Sequence, residues 1–440
     1  MNEIVDWRTE ILPILDKISD KGVNVDIIRK LFIEKLNYDF IDKQALIEFP
    51  ESIKNNVIST KIIAEKNEFK VLFCKIDTLL KGIELPVVKT ISRYHLANII
   101  IFTNRDSNEA HFINTKYVSK EREKKVKGFR RITVGKTDRL RTAAERLAKI
   151  YAYDGISSLA LMAKCEEAFD VETVSNEFYK EFVEKYKGLR NYIQNNNKLS
   201  NEIVDNLTQE IINRLLFLYF IQKKGWLNGD YKFLYNNFKS NKKEYYKKFL
   251  VPLFKKLSIK DFKCQGLENI PFLNGGLFES ESINEYVIIP SRAFQDIFDD
   301  LLERFNFTIR EDTEFEEEVA IDPEMLGKIF EELILSIESE KYKDIPDPRR
   351  ASGSYYTPRF IVSFMVKQSL LNYLINELPE IPKKKLKLLI FCQPDKLNII
   401  IDEIDKPEAI KEKLLNLRIV DPGVGSGAFS VAILNKLVEI

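Results

Sequence analysis

The period of hydrophobic and polar positions changes along this chain and separates regions of different structure. Residues 69–76 and 97–103 are nearly continuous apolar runs of strand length, and residues 111–113 add a short β-rich run. Residues 23–36 instead repeat their apolar positions with the period of an amphipathic helix. This mixture predicts an α/β domain over residues 1–115.

A helical period dominates from residue 171 to 335, with Asn- and Gly-containing breaks at 195–197, 228–229 and 274–276. It predicts a mainly α-helical middle domain over 151–345. Residues 116–150 are predicted to be a basic connector that ends in an Ala-, Leu- and Arg-rich helix. A Pro-Asp-Pro sequence at 346–348 marks the start of a third region, 346–440.

A glycine-rich loop lies in that third region, where residues 421–429 read Asp-Pro-Gly-Val-Gly-Ser-Gly-Ala-Phe. An apolar strand-like run at 417–420 precedes it and a helical run at 431–440 follows. A strand, a glycine turn and a helix start together predict a small-cofactor loop, because glycine lets the backbone approach a ligand closely. No Gly-Lys-Ser/Thr follows, and the spacing is not Gly-x-Gly-x-x-Gly, so a P-loop is excluded and a dinucleotide oxidoreductase is disfavoured. The alternative is a glycine-rich connection without a ligand.

A second motif, Gly-Ser-Tyr-Tyr-Thr-Pro, occupies 353–358 and precedes a helical pattern over 359–374. Thr357 is predicted to cap this helix and Pro358 to take its first position. The order of the two motifs resembles motifs X and I of γ-class, S-adenosylmethionine-dependent DNA adenine methyltransferases. Phrases at 214–226, 273–278 and 322–331 are similar to the helical region of large fused restriction-modification (type IIG-like) and phage-defence methylases. The resemblance covers most of 140–440.

The resemblance implies the start of a Rossmann-like α/β methyltransferase domain that binds S-adenosylmethionine. In it, Asp421 closes the first strand, the glycines wrap the amino-acid end of the cofactor, the Tyr-Thr-Pro residues line its methionine side, and Phe429 packs nearby. Gly-Val replaces the family's usual Ala-Cys at 423–424. The implied cofactor-binding residues are Tyr356, Thr357, Pro358, Asp421, Gly423, Gly425, Gly427 and Phe429.

The activity that the resemblance implies is adenine-N6 methylation of double-stranded DNA, with the adenine flipped out of the duplex. The family's catalytic loop, Asn- or Asp-Pro-Pro-aromatic, does not occur in the 440 residues, so no catalytic residue is assigned. We therefore expect a truncated, N-terminal fragment of a methylase from a restriction-modification or phage-defence system, in which other subunits can take part. The alternatives are a DNA-binding scaffold subunit with a vestigial cofactor loop and a bifunctional nuclease-methylase.

Composition narrows the class of protein further. Four widely spaced cysteines without a Cys-x-x-Cys pair predict buried reduced thiols, and two histidines exclude a His-rich metal site. No signal segment opens the chain, and the longest apolar run, 215–221, is too short to span a bilayer. We expect a cytoplasmic protein without a membrane partner.

Charge is unevenly distributed although the formal net charge is only +1. The segment 116–141 is strongly basic and predicts sequence-independent contacts with DNA phosphates, unless it is a solvated surface. The acidic run 311–318 predicts a solvated linker or helix start. The predicted DNA-binding residues are Lys124, Lys125, Lys127, Arg130 and Arg131.

A nuclease is a separate hypothesis for the first domain. Glu68 and Lys70 form a Glu-x-Lys before an apolar strand, and Asp39 or Glu48 is a candidate upstream acid for binding Mg²⁺. Glu-x-Lys is frequent in a chain this charged, and the alternative is an ordinary strand start. We expect the domain to dock DNA or a partner instead of cutting.

Overall fold

The computed structural model describes residues 5–79, 82–120, 123–273, 276–278, 285–310, 312, 315–327, 329, 357–392, 400, 404, 407–424 and 427–440. The chain forms two compact units. The first, here called the sheet unit, comprises Met1–Leu79 and Val88–Pro323, and the second, the carboxy-terminal unit, comprises Leu80–Val87 and Glu324–Ile440. The predicted boundaries at 116 and 151 fall inside the sheet unit, and the one at 346 lies outside the described residues.

One mixed sheet organises the first unit, and its seven described strands lie side by side in chain order. Neighbouring strands are antiparallel except for the third and fourth and the sixth and seventh, which are parallel. The strands are β1 (Asp39–Gln44), β2 (Val57–Lys66), β3 (Phe69–Ile76), β4 (Asn98–Thr103), β5 (Glu109–Lys120), β6 (Glu123–Gly135) and β7 (Glu316–Glu318).

The centre of the sheet is formed by the runs whose sequence is most continuously apolar. Every residue of β4 is buried, and so are all residues of β3 except Lys70 and Lys75. Strands buried on both faces lose the alternation of polar and apolar positions, which explains this pattern. The predicted strands at 69–76 and 97–103 are confirmed, and the chain has an α/β architecture.

The basic segment from 116 to 135 is not a connector, because it forms the end of β5 and all of β6. Phe129, Ile132 and Val134 are buried and supply the apolar positions that the many charges obscure in the sequence.

β5 pairs with β4 only over Ala110–Ile113. Residues 114–120 and 123–128 therefore extend past β4 as a two-stranded antiparallel ribbon, which we call the ribbon.

Helices fill most of the remaining chain up to residue 302. Five further turns among the described residues, Trp7–Ile11, Lys30–Lys35, Tyr246–Leu250, Gly276–Phe278 and Phe298–Leu302, are π- or 3₁₀-helical. The α-helices are α1 (Leu12–Lys21), α2 (Val25–Arg29), α3 (Glu51–Lys54), α4 (Glu84–Tyr94), α5 (Leu140–Ala148), α6 (Ser158–Ala168), α7 (Val171–Asn196), α8 (Asn201–Lys223), α9 (Phe233–Ser240), α10 (Val251–Ser258) and α11 (Ser291–Ile297).

The long helices α7 and α8 confirm the predicted helical pattern and its first break. Asp170 caps α7 by accepting a hydrogen bond from Thr173 N at 3.0 Å, and Ser200 caps α8 in the same way. α7 ends at Asn196, within the Asn-rich break. None of the described helices combines the length and apolar character needed to cross a membrane.

Two of the methylase-like phrases pack against each other in the core. Arg214, on α8, is fully buried, and its Nε donates to Leu277 O at 2.7 Å. Its guanidinium lies 4.8 Å from the centroid of the Phe254 ring and pairs with Glu210. Phe217 and Phe278 lie alongside, with ring centroids 5.8 Å apart. These phrases therefore stabilise the helical core, because a buried guanidinium needs both a charge partner and acceptors.

Cysteine burial follows the prediction only in part. Cys74 and Cys165 are buried, and burial raises the pKa of each thiol to about 12. Cys264 and Cys392 are half-buried instead. All four thiols are free.

The carboxy-terminal unit includes the helices α12 (Arg359–Glu377), α13 (Lys383–Phe391), α14 (Pro407–Leu415) and α15 (Ala428–Glu439). Their core includes Val362, Leu370 and Leu386. The strand predicted at 417–420 is not formed among the described residues, and Val420 is 88% exposed. A strand requires a hydrogen-bonded neighbour, and the described residues of this unit supply none.

Among the glycines that the structure describes in detail, Gly128 makes the closest backbone approach. A Cβ built there would lie 2.1 Å from Phe315 O, which accepts a hydrogen bond from Phe129 N at 2.7 Å. We expect Gly128→Ala to lower the free energy of unfolding by about 2 to 4 kcal/mol, since the backbone beside β7 must move. Denaturant unfolding measures the change.

Gly188→Ala is the matched control. Gly188 lies within α7, and nothing is within 4 Å of a Cβ built on it. This variant should gain about 0.5 to 1 kcal/mol through helix propensity. Equal stability of the two variants would contradict the proposed contact at Gly128.

Candidate cofactor and nucleic-acid sites

The glycine loop ends at the amino terminus of α15. Gly427 is the N-cap, and its φ of +81° is a conformation that only glycine adopts readily. Gly427 N donates to Val424 O at 2.7 Å, and Gly423 N donates to Asp421 Oδ1 at 3.0 Å. The loop is thus a tight turn built from its own backbone. Gly425 and Tyr356 lie outside the described residues.

Two features of the described loop residues fit a ligand. Asp421 Oδ2 is enclosed by protein atoms and accepts no hydrogen bond from the part of the chain that the structure describes. Gly423 faces open space, because nothing lies within 4 Å of a Cβ built on it. An enclosed carboxylate oxygen without a partner is costly, and a ligand donor would satisfy it.

The helices that follow the two motifs belong to one core. α12 begins at Arg359, directly after Thr357 and Pro358, and α15 begins directly after Gly427. Phe429 is partly buried against the cluster that contains Val362. The structure therefore places the carboxyl side of both motifs in the same helical core.

The cap of α12 differs from its prediction by one residue. Pro358 itself is the N-cap, with an extended ψ of 140°, and its carbonyl accepts from Ile361 N at 2.9 Å. Thr357 is therefore one position too early to cap this helix. Proline can hold the cap position because the cap needs only its carbonyl oxygen.

Arg130 and Arg131, predicted to bind DNA, are paired with the acidic run instead. β7 lies parallel to β6 with Arg130 opposite Glu317 and Arg131 opposite Glu318. Arg131 Nη2 lies 3.2 Å from Glu318 Oε2 with both side chains buried, and Arg130 Nε lies 3.1 Å from Glu317 Oε2. Arg131 is therefore unavailable to phosphate.

The described end of the acidic run, residues 315–318, is correspondingly not a solvated linker. Glu316 and Glu318 are buried, and Lys116 Nζ lies 2.7 Å from Glu317 Oε1. Burial alone would raise the pKa of Glu318, but Arg131 and Arg310 outweigh it and lower that pKa. The two oppositely charged runs neutralise each other across the β6–β7 edge.

The remaining predicted DNA-binding lysines belong to the ribbon. Lys125 and Lys127 are exposed. Lys124 is opposite Ser119 in the register, and its side chain lies outside the described set. Only the ribbon lysines retain the predicted DNA-binding role as a proposal.

A second polar cluster joins β5 to the segment that leads to β7. His111 Nε2 lies 2.6 Å from Glu109 Oε1, and Arg310 Nη2 donates to the same oxygen at 2.8 Å. Burial would raise the pKa of Glu109, but the hydrogen bond and charge of His111, with Arg310 and Arg131, hold it at about 2. Arg310 is 199 residues from His111, so no local sequence signal indicates this contact.

The nuclease candidates do not form a cluster. Glu68 is exposed in the two-residue turn between β2 and β3 with a φ of +69°, so it is not on the strand with Lys70. Lys70 pairs with Glu65, and Asp39 lies 3.3 Å from Lys66. Among the residues the structure describes, no three His, Cys, Asp or Glu side chains are placed to hold a metal ion.

Comparison with known proteins identifies a distant relative. The chain is 29% identical over 313 residues to a candidate type II restriction enzyme and methyltransferase of Methanocaldococcus jannaschii. The match covers 61% of this chain and 26% of that protein, so the chain spans a minor part of its relative. No protein-family model matches the chain, and no solved structure matches it. The class of protein to which the chain is similar is therefore the restriction-modification methyltransferases.

The Arg131–Glu318 pair should be structural, and substitutions can test this. Arg131→Met leaves Glu318 buried without its ion-pair partner, which should cost about 3 to 5 kcal/mol of unfolding free energy. Arg131→Met combined with Glu318→Met removes both charges and should recover most of that loss. If the single variant folds normally and loses only DNA binding, the structural assignment is wrong.

Acid should weaken the Glu109 cluster. A carboxyl with a lowered pKa contributes stability that is present above its unfolded pKa, near 4.5, and is lost as pH falls towards about 2. Between pH 5 and pH 2 the native protein should lose about 2 to 3 kcal/mol more than Glu109→Gln. Denaturant titrations across this range measure the difference, and parallel curves would contradict the prediction.

Proposed function

We propose that this chain carries the first part of the S-adenosylmethionine site of a DNA methyltransferase from a restriction-modification system. The observation that carries the proposal is the Asp421–Phe429 loop at the start of α15, which combines an open glycine with an enclosed carboxylate oxygen that has no partner among the described residues. The similarity to a candidate restriction enzyme and methyltransferase supports the same class.

The described residues fit this cofactor in specific ways. Gly423 and Gly427 permit backbone to approach the amino-acid end of the ligand, and the first N–H groups of α15 favour its carboxylate. Asp421 Oδ2 is the acceptor for a donor group of the ligand. Thr357 and Pro358 line the methionine side as the motif resemblance implies, and Tyr356 and Gly425 complete the set. When bound, the cofactor supplies an electrophilic methyl group.

The methyl acceptor that we propose is the N6 amine of an adenine flipped out of double-stranded DNA, as in the γ class. The catalytic Pro-Pro loop of that class does not occur in these 440 residues, so methylation is proposed for a protein that also carries such a loop. The ribbon lysines Lys124, Lys125 and Lys127 are proposed to contact phosphates.

Cleavage of DNA is not part of the proposal for this chain. The restriction activity in the name of the relative is an activity of that protein, and we do not assign it to this chain. Glu68 lies in a turn, and Lys70 is paired with Glu65, so the observed geometry gives neither a role at a Mg²⁺ ion. We propose that the sheet unit docks DNA or another subunit of a defence system.

Substitution at Gly423 tests the cofactor site. A Cβ built there has nothing within 4 Å, so we expect Gly423→Val to fold normally. In the ligand-bound state the same side chain occupies ligand space, and we expect at least a tenfold loss of S-adenosylmethionine affinity, about 1.4 kcal/mol. Calorimetry on the full-length protein measures it.

Val424→Ala is the neighbouring control. It removes atoms from an exposed side chain and adds none, so affinity should be unchanged. Methylation of duplex adenine is then followed with labelled cofactor in the same preparations. Full cofactor affinity in Gly423→Val would disprove the site, whereas cofactor binding without methyl transfer to any duplex would favour the scaffold alternative.

A further inference from the structure

A second basic surface lies in the helical part of the sheet unit, outside the ribbon. Between residues 239 and 263 the sequence has nine lysines and two acidic residues. The lysines are Lys239, Lys242, Lys243, Lys247, Lys248, Lys255, Lys256, Lys260 and Lys263. We call this set the lysine face.

Four of these lysines lie on a helix that packs against the core. Tyr246–Leu250 and α10 form one continuous helical stretch that buries Tyr246, Phe249, Leu253 and Leu257. The lysines of this helix fall between those buried positions: Lys247 and Lys248 are exposed, and Lys255 and Lys256 are half-buried. Lys239, Lys242 and Lys243 precede it and are exposed. The helix is amphipathic, with an aromatic and aliphatic core side and a cationic outer side.

Two of these lysines are paired with a carboxylate: Lys248 pairs with Glu244, and Lys255 lies 2.7 Å from Glu285. Lys242, Lys243 and Lys247 are exposed, and Glu244 and Asp261 are the two acidic residues of the segment. The lysines in and around α1 and α2 have more acidic residues near them in sequence than the lysine face has. Lys17, Lys21 and Lys30 alternate with Asp16, Asp20, Asp26 and Glu34. Clustered like charges repel one another, and an anionic partner removes the repulsion.

We propose that the lysine face binds the phosphate backbone of duplex DNA; this rests on the proposed function for the choice of polyanion. The 13 residues of Tyr246–Leu250 and α10 extend about 20 Å, a length over which a duplex presents roughly 12 phosphates. Such contacts position the DNA without reading its sequence. Together with the ribbon, the lysine face gives the sheet unit two separate cationic surfaces.

The test compares two fourfold variants of the full-length protein. Lys239, Lys242, Lys243 and Lys247 are replaced by Gln in one, and Lys17, Lys21, Lys30 and Lys43 in the other. All eight side chains are exposed, so both variants remove the same charge. Fluorescence anisotropy with a duplex of unrelated sequence gives log affinity against log salt. The first variant should flatten the slope by about 2 to 4, and the second should leave it unchanged.

The twofold variant K242Q/K243Q should give about half of the change, and matching melting curves show that each variant is folded. Equal slopes for the two fourfold variants would overturn the proposal. Weakened binding to heparin with unchanged binding to the duplex would also overturn it, since the face would then serve another polyanion. Cofactor calorimetry on the same variants separates the two proposals, because loss of DNA contact should leave S-adenosylmethionine affinity intact.

Discussion

Pairing between a basic strand and an acidic one holds the sheet unit together. β7 reaches the sheet only after the helices α5 to α11, and it attaches to β6 through Arg131 and Glu318, both buried. Neither charge can be buried alone, so each requires the other in place. Around this pair, Arg310 contacts Glu109, Arg139 N donates to Asn306, and Arg130 approaches Asp170 at the cap of α7. Contacts of this kind fix the sheet and the helices as one unit.

Local patterns predicted those elements whose environment is uniform along their length. β3 and β4 are buried throughout most of their length, and α7 has one apolar face. The period and length of the hydrophobic pattern were therefore enough to predict these strands and this helix. The predictions for the basic and acidic runs were wrong for a physical reason. A buried ion pair and a solvated surface use the same residues, and what distinguishes them is a partner 187 residues away, as for Arg131 and Glu318. The sequence of either run alone contains no information about that partner.

The turn and helix start at residues 427–428 were predictable because their constraint is local. Gly427 needs a left-handed backbone and α15 needs a start, and adjacent residues encode both requirements. The preceding strand was not predictable in this way, since strand formation depends on neighbours. Ile419 and Val420 remain exposed, as do Val431, Leu434 and Val438 on α15. The enclosed oxygen of Asp421 also has no sequence signature, because burial of a single atom depends on packing.

The late arrival of β7 has a consequence for synthesis of the chain. At a ribosomal rate of about 5 to 20 residues per second, the 187 residues that follow Arg131, up to and including Glu318, take roughly 10 to 40 seconds to emerge. During that time β6 is the open edge of a nascent sheet, the part most prone to pair with another chain. The dense lysines and arginines of β6 repel a second copy of the same edge. The charges that β7 later neutralises can thus protect the nascent chain from aggregation before it is complete.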